Sequence, residues 1–176
     1  MLVILTLLQD PGLPLALRYT MTMLESFLEW LVSSPIANAM NGPEWAFPVV
    51  QSCHFIGFAL LIGTIAIVDL RLLGFGMRHQ TAAELASDFA PWTRAGLAVM
   101  LTTGLLMFSA DAVHYHFNPS FQIKMTCLLA AIVFHFTVHR KATTSPVSPL
   151  AGKLVAGLSL TLWTAVIAGG RMIAFV

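Results

Sequence analysis

The stretch that decides the fold is WAFPVVQSCHFIGFALLIGTIAIVDLRLL, which runs from Trp45 to Leu73. It contains no Asp, Glu, Lys or Arg before Asp69. About 20 helical residues cross a hydrocarbon core of about 30 Å, so this stretch is long and apolar enough to span a membrane. Three further apolar runs meet the same criterion, and they cover residues 90–110, 121–139 and 154–176.

The composition agrees with a lipid environment. Of the 176 residues, 57% are hydrophobic and only 10% are charged, and the mean hydropathy is +0.82. Such a chain lacks the polar surface that a soluble globule needs. The net charge is +1 and the charges lie between the apolar runs, so there is no basic field for nucleic acid. We therefore predict the lipid bilayer as a partner and exclude nucleic acid.

Short polar connections separate the four apolar runs. Helices joined by short connections pack as antiparallel neighbours, which favours a single bundle. We predict an all-α fold, an integral membrane four-helix bundle over residues 45–176, preceded by an N-terminal segment over residues 1–44.

The N-terminal segment has a weaker pattern. Asp10 and Pro11 cut its opening apolar run to a length that cannot span a bilayer. From Met23 to Val32, apolar residues recur at helical spacing, with Glu25 and Glu29 on another face. This pattern predicts an amphipathic helix that lies in the membrane interface.

The basic residues predict the orientation. One side of the bundle carries most of them: Arg71, Arg78, Arg94, Arg140, Lys141 and Lys153. The other side carries Arg18, Lys124 and Arg171. The positive-inside rule then places the first group in the cytoplasm and both termini outside. We expect a multi-pass protein of the bacterial inner membrane with periplasmic termini.

Two histidines inside the spans are the first candidates for chemistry. His54 lies ten residues after Glu44, and His135 lies eleven residues after Lys124 on a span of the same direction. Counted in this way, the two imidazoles share one depth. A b-type haem takes one axial nitrogen from each side, so the pair predicts haem b ligated by His54 and His135. The alternative is that both are core histidines bonded to backbone or hydroxyl groups.

Other residues fit the same hypothesis. Gly57, one turn from His54, removes a side chain where a flat macrocycle could approach. Lys124 and His135 are three helical turns apart and share a face. Lys124 and Arg171 could therefore pair with the haem propionates. Asp69, Arg94 and His139, which lie near span ends, are expected to snorkel or to pair locally.

The connection between the second and third spans carries a weaker metal signal. His114 and His116 form an H-x-H, with Asp111 upstream. Imidazole binds copper and zinc, so this loop is a candidate metal site, or one of its histidines could replace His135 as an axial ligand. No motif of hydrolytic or phosphate chemistry is present.

Several motifs together resemble a known group of proteins. They are C-H-F-I-G-F from Cys53, D-L-R-L-L-G from Asp69, P-W-T-R from Pro91, Lys and His at positions 124 and 135, and G-R from Gly170. Over roughly residues 25–176 the chain resembles a family of small bacterial membrane proteins of unknown function, related in layout to copper-resistance D and HemJ-type proteins.

The resemblance implies haem b binding. In that comparison His54 matches an early histidine, Arg71 a helix-end arginine, and Lys124 and His135 a later pair. The relatives also suggest porphyrinogen oxidation or copper handling. The chain lacks the aromatic-Gly-Leu-Phe-Tyr and Tyr-His stretches of the HemJ type, which argues against porphyrinogen oxidation.

Three functional hypotheses follow. The leading one is a membrane cytochrome b that exchanges electrons with a quinone or a periplasmic partner, as a haem-dependent oxidoreductase or its membrane subunit. It could work as a homo-oligomer or in a larger redox complex. The second is a copper or other metal transport or resistance protein that uses the histidines and methionines. The third is a structural or assembly subunit without a cofactor.

Overall fold

The computed structural model describes residues 15–76, 79–145 and 147–175, and every regular element in them is helical. The helices are α1 (Leu15–Val32), α2 (Pro35–Asn41), α3 (Ala46–Leu73), α4 (Ala82–Ala110), α5 (Ala112–Phe117), α6 (Pro119–Phe134), α7 (Arg140–Thr144) and α8 (Pro149–Met172). A π-helical turn, His135–His139, joins α6 to α7, and a 3-10 turn, Ile173–Phe175, follows α8.

Four helices are long and apolar enough to cross a membrane, as predicted. They are Ala46–Leu73, Ala82–Ala110, the continuous run Pro119–Thr144, and Pro149–Met172. The second begins eight residues before the predicted boundary. Its start is a capping box, in which the Thr81 side chain accepts from the Glu84 amide and the Glu84 carboxylate accepts from the Thr81 amide.

The four spanning helices run antiparallel in sequence order. We call the end where α3 and α6 begin the near end, and the end where α4 and α8 begin the far end. The closest approach joins α3 to α4, where Gly57 lies against Val99 and Gly96 lies against the backbone of Leu61. Two glycines at the crossing let the backbones touch, as small residues do between membrane helices.

Helix α8 packs against both α3 and α6, and its side chains fill the centre of the bundle. The buried core consists of Leu61, Ile65, Met100, Leu128, Ala131, Trp163 and Val166. Helices α4 and α6 make no comparable backbone contact within the described residues. They meet at the near end, where the rings of Phe108 and Phe121 stack with centroids 5.4 Å apart.

Two helices precede the bundle. Helix α1 includes the predicted segment Met23–Val32 but begins earlier, at Leu15, and it buries Leu28. Helix α2 is fixed to the near end because Nδ2 of Asn41 donates to the carbonyl of Ala110, at 2.8 Å. The predicted break at residues 10–14 and the cytoplasmic candidate Arg78 lie outside the described residues.

One predicted loop is helical instead. The connection that carries His114 and His116 contains α5, whose first turn is capped by Asp111. The Asp111 carboxylate accepts from the His114 amide at 3.4 Å. Asn118 then starts α6, since its side chain accepts from the amides of Ser120 and Phe121.

Candidate functional site

His54 is held in one orientation by α4. Its Nδ1 lies 3.0 Å from Oγ1 of Thr103, and that hydroxyl lies 2.6 Å from the carbonyl of Val99. A hydroxyl has one proton, and here it goes to the carbonyl, so Nδ1 of His54 donates to Thr103. The lone pair is then on Nε2. An imidazole fixed in this way is prepared to ligate a metal.

The ring of His54 fits beside a glycine. A Cβ on Gly104 would lie 3.3 Å from Cε1 of His54, so even alanine would crowd the imidazole. Thr103 and Gly104 are adjacent on α4, which means that one turn of this helix both orients the ring and makes room for it.

Lys124 is a basic residue whose charge acts on His54. It lies in α6, half-buried against α8, where a Cβ on Gly169 would be 3.1 Å from the Cβ of Lys124. Its ammonium group is close enough to the His54 imidazole to interact with it electrostatically. No carboxylate of the described residues forms an ion pair with Lys124. We call His54, Thr103, Gly104 and Lys124 the near site.

His135 does not lie at the depth of His54. The buried pair of Asp69 and His139 fixes the register of α3 against α6, with Oδ1 and Nε2 2.7 Å apart. His54 precedes Asp69 by fifteen residues, and Lys124 precedes His139 by the same number. The depth of His54 is therefore that of Lys124, and His135 lies eleven residues, or about 16 Å, further along the bundle.

The sequence predicts a shared depth for His54 and His135 only if Lys124 stands at the start of its span. Helix α6 begins at Pro119, so Lys124 already lies more than one turn inside it. A single haem iron cannot bind nitrogens displaced by about 16 Å along the bundle. The pairing of His54 and His135 on one haem therefore stays a prediction, with the two residues about 16 Å apart in depth.

His135 belongs to a second polar group, in the far half of the bundle. Its ring stacks on His139, with centroids 5.0 Å apart and planes inclined by 26°. Asp69 and His139 are 0% and 3% exposed. The backbone between the two histidines forms the π-helical turn, a feature that is common at functional sites.

Three buried side-chain atoms of the described residues have no hydrogen-bond partner: Oδ2 of Asp69, Nδ1 of His135 and Oγ of Ser159. They come from α3, from the π turn and from α8. We call Asp69, His135, His139 and Ser159 the far cluster.

Two residues predicted to contact haem have other surroundings. Gly57 faces α4, where a Cβ would lie 2.7 Å from Cγ1 of Val99, so helix packing and not an open surface uses its missing side chain. Arg171 is exposed, with Cζ 5.8 Å from the centroid of the Phe175 ring. Its guanidinium makes a cation–π contact there and does not join Lys124.

The H-x-H candidate is not assembled into a metal site. Within the described ranges, no three His, Cys, Asp or Glu side chains come together in a way that could hold a metal ion. His114 is exposed, and Tyr115 between the histidines packs against Phe108 and Phe121. Burial, with the Asp111 carboxylate nearby, raises the pKa of the Tyr115 hydroxyl.

The far cluster was not predicted as a unit from the sequence. Asp69 and His139 were expected to snorkel or pair locally, and they form a local pair, but a fully buried one. Ser159 had no predicted role. Asp69 could have indicated the cluster, because it lies inside an apolar run and a carboxylate inside a membrane needs a polar or basic partner.

Comparison with known proteins gives a family and nothing closer. No curated protein and no solved structure matches the chain significantly. The family of unknown function DUF6644 matches residues 27–176, from the second half of α1 to the last residue. The chain belongs to this family.

Proposed function

We propose that the protein is a membrane-bound b-type haem protein that takes part in electron transfer, with His54 as the protein ligand of the iron. The orientation of His54 carries the proposal. Its Nδ1 donates to Thr103, which leaves the lone pair on Nε2, as in metal-bound histidines whose second nitrogen is hydrogen-bonded.

The near site fits a haem in two further respects. Lys124 is a half-buried cation without a carboxylate partner among the described residues, and a propionate would supply the missing negative charge. The flanking helices α4 and α6 are not packed backbone to backbone, which favours a flat ligand on that side. When bound, haem b would supply an iron that is reduced and oxidised by one electron at a time.

The second predicted ligand does not fit, because His135 is about 16 Å away along the bundle. No other histidine of the described spanning helices lies at the depth of His54. We therefore propose a haem with one histidine ligand from this chain, as in proteins with a single proximal histidine.

The proposal also covers the orientation of the protein in the membrane and its electron partner. The basic residues at the far end favour a cytoplasmic far end, with the near site toward the periplasm of a bacterial inner membrane. Helix α1, which exposes Met23, Phe27 and Trp30, would lie in the interface. A quinone or a periplasmic redox protein would be the electron partner, in a larger complex or a homo-oligomer. We also propose that the chain is related in layout to copper-resistance D and HemJ-type proteins, which would be in keeping with haem binding.

The test is a visible spectrum of the detergent-purified full chain, expressed with added haem, in oxidised and reduced forms. We expect stoichiometric haem in the wild type, and carbon monoxide should bind the reduced form, because this chain would supply one histidine ligand. The variant His54→Ala should lose haem. Lys124→Gln should bind haem more weakly. His135→Ala should keep its haem, and His114→Ala serves as the exposed-histidine control.

Two results would count against the proposal. A folded wild-type protein without haem would overturn it and direct attention to metal analysis. Loss of haem in His135→Ala together with a sharp low-spin spectrum would show two histidine ligands, which would contradict the depths derived from the Asp69–His139 pair.

A further inference from the structure

The far cluster carries a second inference, which does not depend on haem at the near site. Its three unpartnered atoms are the only buried side-chain nitrogens or oxygens of the described residues that lack a hydrogen bond. A buried polar atom without a partner costs about 1–3 kcal/mol. Three such atoms in one half of a small bundle indicate a polar ligand that satisfies them together.

Two independent contacts place His135 and Ser159 at the same depth. At the near end, Lys124 of α6 contacts Gly169 of the antiparallel α8. His135 lies eleven residues after Lys124, and Ser159 lies ten residues before Gly169, so both are displaced toward the far end by nearly the same distance. At the far end, a Cβ on Gly152 would lie 3.7 Å from Cδ2 of Leu72. Counted from that contact, Ser159 lies about 10 Å into the bundle.

Asp69 lies slightly nearer to the far end. It precedes Leu72 by three residues, so its depth is about 4–5 Å from the Gly152 contact. Its partner His139 shares that depth, and His135 is one turn further in. The unpartnered atoms thus lie within about 6 Å of depth, on α3, on the π turn and on α8.

A direct bond between the two histidines is absent because their rings are stacked. With centroids 5.0 Å apart and planes inclined by only 26°, the ring faces meet and the nitrogens do not point at each other. A water molecule, by contrast, takes two to four polar partners and commonly satisfies buried groups of this kind. Lipid chains offer no hydrogen bonds, so the water must be held inside the bundle.

We propose that the far cluster binds internal water and forms a proton-transfer site between the far end of the bundle and His135. With Asp69 ionised, the Asp69–His139 pair is neutral when His139 holds an additional proton. That proton moves from Nε2 of His139 to Oδ1 of Asp69, and rotation of the carboxyl group presents it to the water. The water accepts it and gives one of its own protons to Nδ1 of His135.

The step is balanced in protons and charge. His139 ends as a neutral imidazole, Asp69 is again ionised, the water is unchanged and His135 carries the positive charge. The basic side chains on the neighbouring elements, Arg94, Arg140 and Lys153, are exposed and form no ion pair with the cluster. Proton delivery to His135 therefore depends on Asp69, His139 and the water.

The test uses the full chain in lipid bilayers without added haem, with 15N-labelled histidine, and measures magnetisation transfer from water to the imidazole nitrogens by solid-state NMR. We expect rapid transfer to His135. Ser159→Val, which fills the space of the water, should reduce that transfer severalfold. Ser109→Val is the matched control, because Ser109 is a buried serine whose hydroxyl already donates to the Leu106 carbonyl, at 2.7 Å.

The same spectra also give the nitrogen chemical shifts of His139 in the Asp69–His139 pair. Asp69→Asn should change the nitrogen shifts of His139, because the pair loses its carboxylate, while those of His54 stay unchanged. No transfer from water to His135 in the wild type, or equal transfer in Ser159→Val, would overturn the proposal. If Asp69→Asn does not fold, the wild type and Ser159→Val decide. Failure of haem binding leaves these results unaffected, so the two proposals fail separately.

Discussion

Substitution of Gly96 by alanine gives the sharpest test of the α3–α4 crossing. A Cβ at this position would lie 2.7 Å from the backbone nitrogen of Leu61 and 2.8 Å from the carbonyl oxygen of Gly57. Ordinary contacts of a Cβ begin at 3.4 Å, so the two helices must separate by about 0.7 Å. Both neighbours are backbone atoms, and no side-chain rotation can relieve the contact.

The magnitude follows by comparison with Gly63→Ala. A Cβ on Gly63 meets nothing within 4 Å, and this glycine is also inside a spanning helix. Both substitutions gain about 1 kcal/mol of helix propensity, which cancels in the comparison. The difference in unfolding free energy is then the cost of the forced separation, which is about 1–3 kcal/mol for an overpacked core.

The assay is unfolding of the purified protein in mixed micelles with increasing sodium dodecyl sulfate, followed by circular dichroism. We expect Gly63→Ala to be as stable as the wild type or more stable, and Gly96→Ala to be less stable than both. Equal unfolding midpoints for the two variants would refute the close α3–α4 packing. Because the same crossing holds Thr103 against His54, Gly96→Ala should also lower the haem content.

Three further predictions concern single side chains. Asp69→Ala leaves His139 buried without its partner and should cost about 3–5 kcal/mol in the same unfolding assay, the cost of breaking a buried pair. Asn118→Ala removes the cap of α6 and should cost about 1 kcal/mol, with no change in spectrum. Gly104→Val should displace the His54 ring and abolish haem binding with little loss of helix content, measured by visible absorption and circular dichroism.

The spans could be predicted from sequence because their signal is local. A run such as that from Ala46 to Val68 contains no charged side chain, and its length alone decides that it can cross a membrane. The early start of α4 was also readable, since Thr81 and Glu84 have the spacing of a capping box. The π turn in HFTVH had no such signal in its residue types.

The candidate sites could be predicted only in part, because depth in a membrane depends on where each helix begins. Both Lys124 and His54 were predicted to contact haem. The prediction for Lys124 depended on His135, which lies eleven residues further along the same span. The relation between helices is fixed by contacts such as Asp69–His139, which connects residues seventy positions apart. No single-helix pattern contains that information.

The π turn adds one residue to α6 relative to a regular helix, and it thereby sets the angular position of the residues that follow. Each residue of an α-helix advances the side chains by about 100° around the axis. If His135–His139 adopted regular α-helical winding with the same number of residues, everything after it would rotate by about that angle. His139 would then leave Asp69, although every spanning helix would keep its apolar length. In this chain, the angular phase of one helix determines whether an acid and a base meet inside the membrane.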